Sequence, residues 1–116
     1  MRATDKQAPG AGSGCGVVER ERRADGTVAV AVSGYLNAEG SPTLQEELAK
    51  LLKQGVRNVE LDCGGVRFIS SVGVGVLIVA VGDFRSVGGD VVVAGLSAEL
   101  RHMFDMLELG DYVTLR

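Results

Sequence analysis

The order of apolar patterns along the chain predicts an α/β fold, a mixed sheet opened by a β-hairpin and covered by helices. Three observations carry that expectation. A turn dipeptide, Asp25-Gly26, separates two short strand-like runs. Two amphipathic helical stripes occur in the middle and near the end of the chain. Strand-like valine and leucine runs stand between and after the helical segments, as they do where helices connect strands of one sheet.

Taken in order, residues 1–16 are rich in Gly, Ala, Pro and Ser and show no apolar periodicity, which predicts a disordered leader that includes Cys15. A domain spanning 17–116 follows. Val17-Val18 opens a strand that turns charged through Glu19-Arg-Glu-Arg-Arg23. Asp25-Gly26 supplies a turn suited to positive φ, and Thr27 to Val32 forms the second strand. Ser33 to Asn37 reads as a loop. Ser41 is placed to cap the next helix, and Pro42 suits its first turn because its missing N–H would be unpaired there. Leu44, Leu48, Leu51 and Leu52 recur at helical spacing. Lys50 and Lys53 complement the dipole at the last turn, and Gly55 supplies the stop.

Asn58 to Asp62 alternates as a strand does. Val72 to Val81 is ambiguous by propensity, since glycine and valine favour neither state. Its unbroken apolar character suits a helix packed tightly on a sheet, with Gly73 and Gly75 allowing close backbone approach. Val87-Gly88-Gly89 is a turn, and Asp90 to Ala94 reads as a buried strand. Ser97 caps a last helix with Leu100, Met103, Phe104 and Leu107 facing inward, Arg101 and Asp105 paired across one turn, and Gly110 as the stop. Tyr112 to Leu115 closes the chain as a strand. The resulting order is β-β-α-β-α-β-α-β.

Composition excludes several function classes. The length, 116 residues, suits a single domain. A formal charge of −3 gives no electrostatic reason to bind nucleic acid. The longest uncharged run, between Arg67 and Asp83, is too short and too glycine-rich to span a bilayer, and the N-terminus has no apolar secretory core. Two separated cysteines and one histidine, His102, are too few ligands for a Cys/His metal site, so Cys63 reads as a small buried apolar residue in a reduced, cytoplasmic protein. Asp62 stands alone at a strand end without the paired acids of a phosphoryl acceptor, and no nucleophile–base pair can be drawn from spacing. Gly73 and Gly75 lack the rest of a nucleotide-binding fingerprint. An enzyme is not expected, and no cofactor or metal is implied.

One stretch stands out. Val66 to Ile78 runs from a strand through Ser70 and Ser71 into a glycine-containing helix. The start of a helix presents unpaired N–H groups and the positive end of its dipole, so it favours negative charge. Capping is what serines commonly do there. A capping serine is also a surface hydroxyl, and a phosphate on Ser71 would be tolerated by the fold while changing whatever docks on it.

Phe68-Ile-Ser-Ser-Val-Gly-Val-Gly-Val-Leu-Ile78 resembles the FxDSSGLGxLL-type signature of STAS domains, especially the bacterial anti-sigma factor antagonists. Gly34-Tyr-Leu-Asn37 followed by Pro42-Thr-Leu44 resembles that family's GxLD…L segment. Val87-Gly-Gly-Asp-Val-Val-Val93 and Phe104-Asp-Met106 resemble two further motifs in register, so the likeness runs from Val17 to Leu115. The resemblance implies phosphorylation at Ser71, two residues before Gly73, with Ser70 as the less favoured site. Two family carboxylates are replaced, by Ser70 and by Asn37.

The resemblance further implies that the unphosphorylated protein binds an anti-sigma factor with serine kinase activity, that phosphorylation releases it, and that a serine phosphatase resets it. Leu36, Asn37, Ser70, Ser71, Val72 and Gly73 are the expected contact residues. The expected particle is a monomer or weak dimer that neither binds nucleic acid nor inserts in a membrane. The alternative is a STAS subunit or scaffold of a stress-signalling or membrane lipid-transport complex, not switched by phosphorylation.

Overall fold

The computed structural model describes residues 14–116, so most of the expected leader lies outside the described residues. Strands β1 (Cys15–Arg22) and β2 (Val28–Leu36) form the hairpin. Its turn is tied by Asp25, whose carboxylate accepts from Thr27 N at 2.9 Å, and by Gly26 at φ 91°. Helix α1 (Ser41–Lys53) leads to β3 (Asn58–Ile69), α2 (Ser71–Ser86) to β4 (Asp90–Ala94), and α3 (Ala98–Met106) through a 3-10 turn (Leu109–Asp111) to β5 (Thr114–Leu115). The strands lie in the order β1-β2-β3-β4-β5, antiparallel in the hairpin and parallel thereafter. The expected mixed sheet with packed helices is therefore the observed one.

Alternation along the strands sorts the two faces. Val28, Val30 and Val32 of β2, Val59 and Leu61 of β3, and Val91 and Val93 of β4 are buried. They join Leu44, Leu48 and Leu51 of α1, Leu77, Val81 and Phe84 of α2, and Leu100 and Phe104 of α3 in one core. Full burial of each such side chain contributes about 1.5–3 kcal/mol. The opposite face carries Ala29, Ala31, Asp62 and Val92, with Glu60 held there by Arg23 at 2.6 Å and by Arg116. Arg85 and Thr114 both bond Asp90, at 3.1 and 2.8 Å, fastening the end of α2 to β4 and β5.

Several boundaries differ from the sequence reading. Cys15 belongs to β1, paired with Gly34, rather than to the leader. Ser33 to Leu36 is strand, not loop, because it keeps pairing with the second half of β3 through two register shifts, with Gly34 at φ 90° absorbing the irregularity. That same pairing carries β3 on to Ile69, so Asp62 sits in mid-strand. Ser41 does not cap α1. The cap position is Gly40, and Ser41 is buried with its hydroxyl lacking a partner among the described residues.

Ser97 caps α3 as expected, accepting from Leu100 N at 3.2 Å, but the helix ends at Met106, short of Gly110. Leu107 is thereby left exposed. Arg101 donates to the carbonyl of Arg116 rather than pairing with Asp105. The last strand is only Thr114–Leu115.

Cys63 is buried in the core, as its sequence context suggested, and burial chiefly, with smaller contributions from Asp62 and Cys15, pushes its thiol up to about 12. Half-buried Cys15 is raised as well, by desolvation. A folded pKa above the unfolded one favours the fold fully at low pH. Cys63 therefore affects stability only as pH rises above 9.0, its ordinary value, toward 12. At pH 8 a thiol-reactive disulfide reagent is expected to titrate Cys15 alone in the native protein, and Cys63 only after denaturant is added. Two native equivalents at equal rates would contradict the packing.

Candidate functional site

The serine pair sits where β3 gives way to α2. Ser70 keeps extended backbone (φ −90°, ψ 177°) and occupies the cap position, its Oγ accepting from Gly73 N at 3.5 Å. The same hydroxyl donates to the carbonyl of Leu36 at 3.3 Å, and Ser70 N donates to that carbonyl at 2.9 Å. Ser70 is thus half-buried and anchored to the end of β2. Ser71, the first helical residue, is exposed. No acidic residue lies in the first turn of α2, so the positive end of the helix has no negative side chain of its own.

Gly73 explains how α2 starts so close to the sheet. A Cβ there would run into the carbonyl oxygen of Leu36 and come within 2.9 Å of Leu36 Cβ and 3.0 Å of Ile69 Cγ2. Gly75, expected to serve the same purpose, does not: a Cβ there would meet nothing within 4 Å. The difference is one of phase, because residues two apart on a helix point to different sides.

Asn37 builds the loop beside the serines. Its side-chain oxygen accepts from Glu39 N at 3.1 Å and Gly40 N at 2.9 Å, and its carbonyl accepts from Ser41 N at 2.9 Å. An amide oxygen accepts these bonds as a carboxylate would, so Asn keeps the turn without the charge.

Of the six expected contact residues, Ser71 and Val72 are exposed, Asn37 and Ser70 half-buried, and Leu36 and Gly73 buried. Leu36 and Gly73 lie beneath the surface and position it; neither offers a side chain to a partner. The sequence reading missed two aromatic neighbours, Tyr35 and Phe68, paired across β2 and β3 with ring centroids 6.3 Å apart. Phe68 is 47% exposed. Treating Ser33 to Leu36 as a loop removed the strand pairing that would have brought the two rings together. Among the described residues no group of three or more His, Cys, Asp or Glu side chains is gathered to hold a metal.

A hairpin-opened sheet with helices on one face, and a capped serine pair starting the second helix, define a STAS domain. The chain belongs to that family: the family described as "Mlab, STAS domain" matches residues 19–116. It is similar to the putative anti-sigma factor antagonist BtrV of Bordetella bronchiseptica, 32% identical over 82 residues that make up 71% of each chain. Its fold matches the crystal structure of an anti-sigma factor antagonist from Mycobacterium paratuberculosis, with a TM-score of 0.77, 20% identity, and 90% and 87% of the two chains covered. It also matches the Bacillus cell fate determinant SpoIIAA in its phosphorylated form, at TM-score 0.64, 18% identity and 88% and 90% coverage. No helix among the described residues is long and apolar enough to cross a membrane.

Proposed function

We propose that this chain is a non-catalytic, cytoplasmic anti-sigma factor antagonist switched at Ser71. Its unphosphorylated form binds an anti-sigma factor with serine kinase activity and so frees a sigma factor. The kinase then transfers the terminal phosphoryl group of a nucleoside triphosphate to Ser71 Oγ. The new P–O bond replaces the one to the diphosphate leaving group, and the hydroxyl proton passes to a base on the kinase. The complex separates, and a serine phosphatase restores the hydroxyl. The observation that carries this reading is the division of labour in the serine pair. Ser70 is committed to the cap and to Leu36, whereas Ser71 is exposed at a helix start that lacks an acid. A dianionic group is favoured there by the helix and disfavoured by a packed interface.

The first test is intact mass with peptide mapping on protein recovered from its native host, with and without stress. One phosphate on Ser71, varying with condition, is the expected result. An unmodified Ser71 in all conditions, or phosphate only elsewhere, would replace this reading with a constitutive binding subunit of the same fold.

A further inference from the structure

The outward face of α2 is unusual for a surface helix. Ser71, Val72, Gly75, Val79, Gly82, Asp83 and Ser86 are exposed along one stripe, with Asp83 as its one charged residue. Arg85, also exposed, lies off the stripe and is held by Asp90 at 3.1 Å. Outward faces are ordinarily rich in long charged side chains. Val72 and Val79 are 47% and 57% exposed. Gly75 and Gly82 weaken a helix without packing against anything, since a Cβ at either would lie in open space. Beside this face a mostly apolar groove of about 300 Å³ opens between α1 and α2, lined by Leu48, Leu52, Val76 and Val79, with Lys53 and Asp83 among its polar residues.

We propose that a second copy of this chain covers this face, the two α2 helices packing antiparallel about a two-fold axis between Gly75 and Val79. A single register brings three complementary pairs together. Val79 of one copy falls opposite Gly75 of the other, Val72 opposite Gly82, and Ser71 opposite Asp83. Each exposed valine thus meets a glycine that leaves room for it. The charges agree with the same register. The first turn of α2 has no acid, and the last turn holds Asp83 together with Arg85, whose guanidinium is committed to Asp90 and Thr114, so Asp83 is left opposing its own dipole. Antiparallel pairing sets each Asp83 beside the other copy's positive helix end. A net charge of −3 adds little repulsion between copies. One helix face is a small interface, so the dimer is weak, filling between about 10 µM and about 1 mM protein. Ser71 lies inside the pairing, so under the function proposed above the dimer and the anti-sigma partner compete for one surface.

Sedimentation equilibrium on the unphosphorylated full chain tests this across that range. The expected result is a mass rising from monomer toward dimer. Val79→Arg should hold the protein monomeric throughout, and Asp83→Lys should move the midpoint at least about tenfold higher, with circular dichroism unchanged for both exposed sites. A wild type that stays monomeric to about 1 mM overturns the proposal and leaves the face to a different protein. A dimer that survives Val79→Arg overturns it in favour of another surface. Neither result bears on whether Ser71 is phosphorylated, which the mass measurement decides separately.

Discussion

Under the function proposed above, Ser71→Asp is expected to weaken binding to the anti-sigma partner by about 100-fold or more, while leaving the isolated domain as stable as before or slightly more so. The two effects come from the same charge in two surroundings. In the free protein the carboxylate stands in the first turn of α2, which has no acid of its own, and gains about 0.3–1 kcal/mol from the helix dipole. In the proposed complex it would be desolvated next to exposed Val72, and a buried charge left unpaired there is costly. A 100-fold loss corresponds to about 2.7 kcal/mol, well within what an unpaired buried charge costs. A phosphate carries more charge than aspartate, so phosphorylation should weaken the complex further.

Ser71→Ala keeps the small neutral surface and should bind as wild type does. Ser70→Ala is the internal control. It removes the cap and the hydroxyl bond to Leu36 but keeps the backbone one, costing about 1 kcal/mol of stability without adding charge to the docking face. Titration calorimetry of the three variants, with thermal melts alongside, reads both quantities. Equal affinity of the Asp and Ala variants at Ser71 would remove the electrostatic switch.

How far the site could be read from sequence depended on the kind of signal. The stripe of Leu44, Leu48 and Leu51 repeats at helical spacing, and burial of all three follows from that period alone. The serine pair was also legible as a helix start, since the apolar run after it has no other beginning. Which serine caps was not, because both are good caps and only the carbonyl of Leu36, brought in by strand pairing, selects Ser70. Ser33 to Leu36 was misread for a related reason: Gly34 is a loop signal locally, and what makes it strand is β3 lying alongside. Ser41 shows the same limit, since the turn made by Asn37 puts the cap position at Gly40 and leaves Ser41 buried as the first helical residue. Local chemistry settled where side chains repeat in one element. It failed where a second segment supplies the partner.

The glycines of α2 give the sharpest case and the second large expected effect. Sequence cannot separate Gly73 from Gly75, yet replacing each by alanine should move stability in opposite directions. At Gly75 the new methyl enters open space, so the substitution only removes a mid-helix glycine and should stabilise the monomer by about 0.5–1 kcal/mol. At Gly73 the same helical preference is present, but the methyl would strike the carbonyl oxygen of Leu36 and crowd Ile69. Backbone cannot swing aside as a flexible side chain can, so the end of β2 and the start of α2 must separate. Overpacking of that kind costs about 1–3 kcal/mol, at the upper end where backbone is the obstacle, and it outweighs the gain in propensity.

The separation also stretches both bonds from Ser70 to Leu36, so the cap loosens and Ser71 shifts with the first turn. Gly73→Ala should therefore lower the urea midpoint and, under the proposed switch, slow phosphorylation of Ser71, while Gly75→Ala raises the midpoint. Unfolding curves for the two variants decide it. A Gly73→Ala protein as stable as wild type would mean that α2 does not need its close approach to the sheet, and the positioning of Ser71 would have to be explained by Ser70 alone.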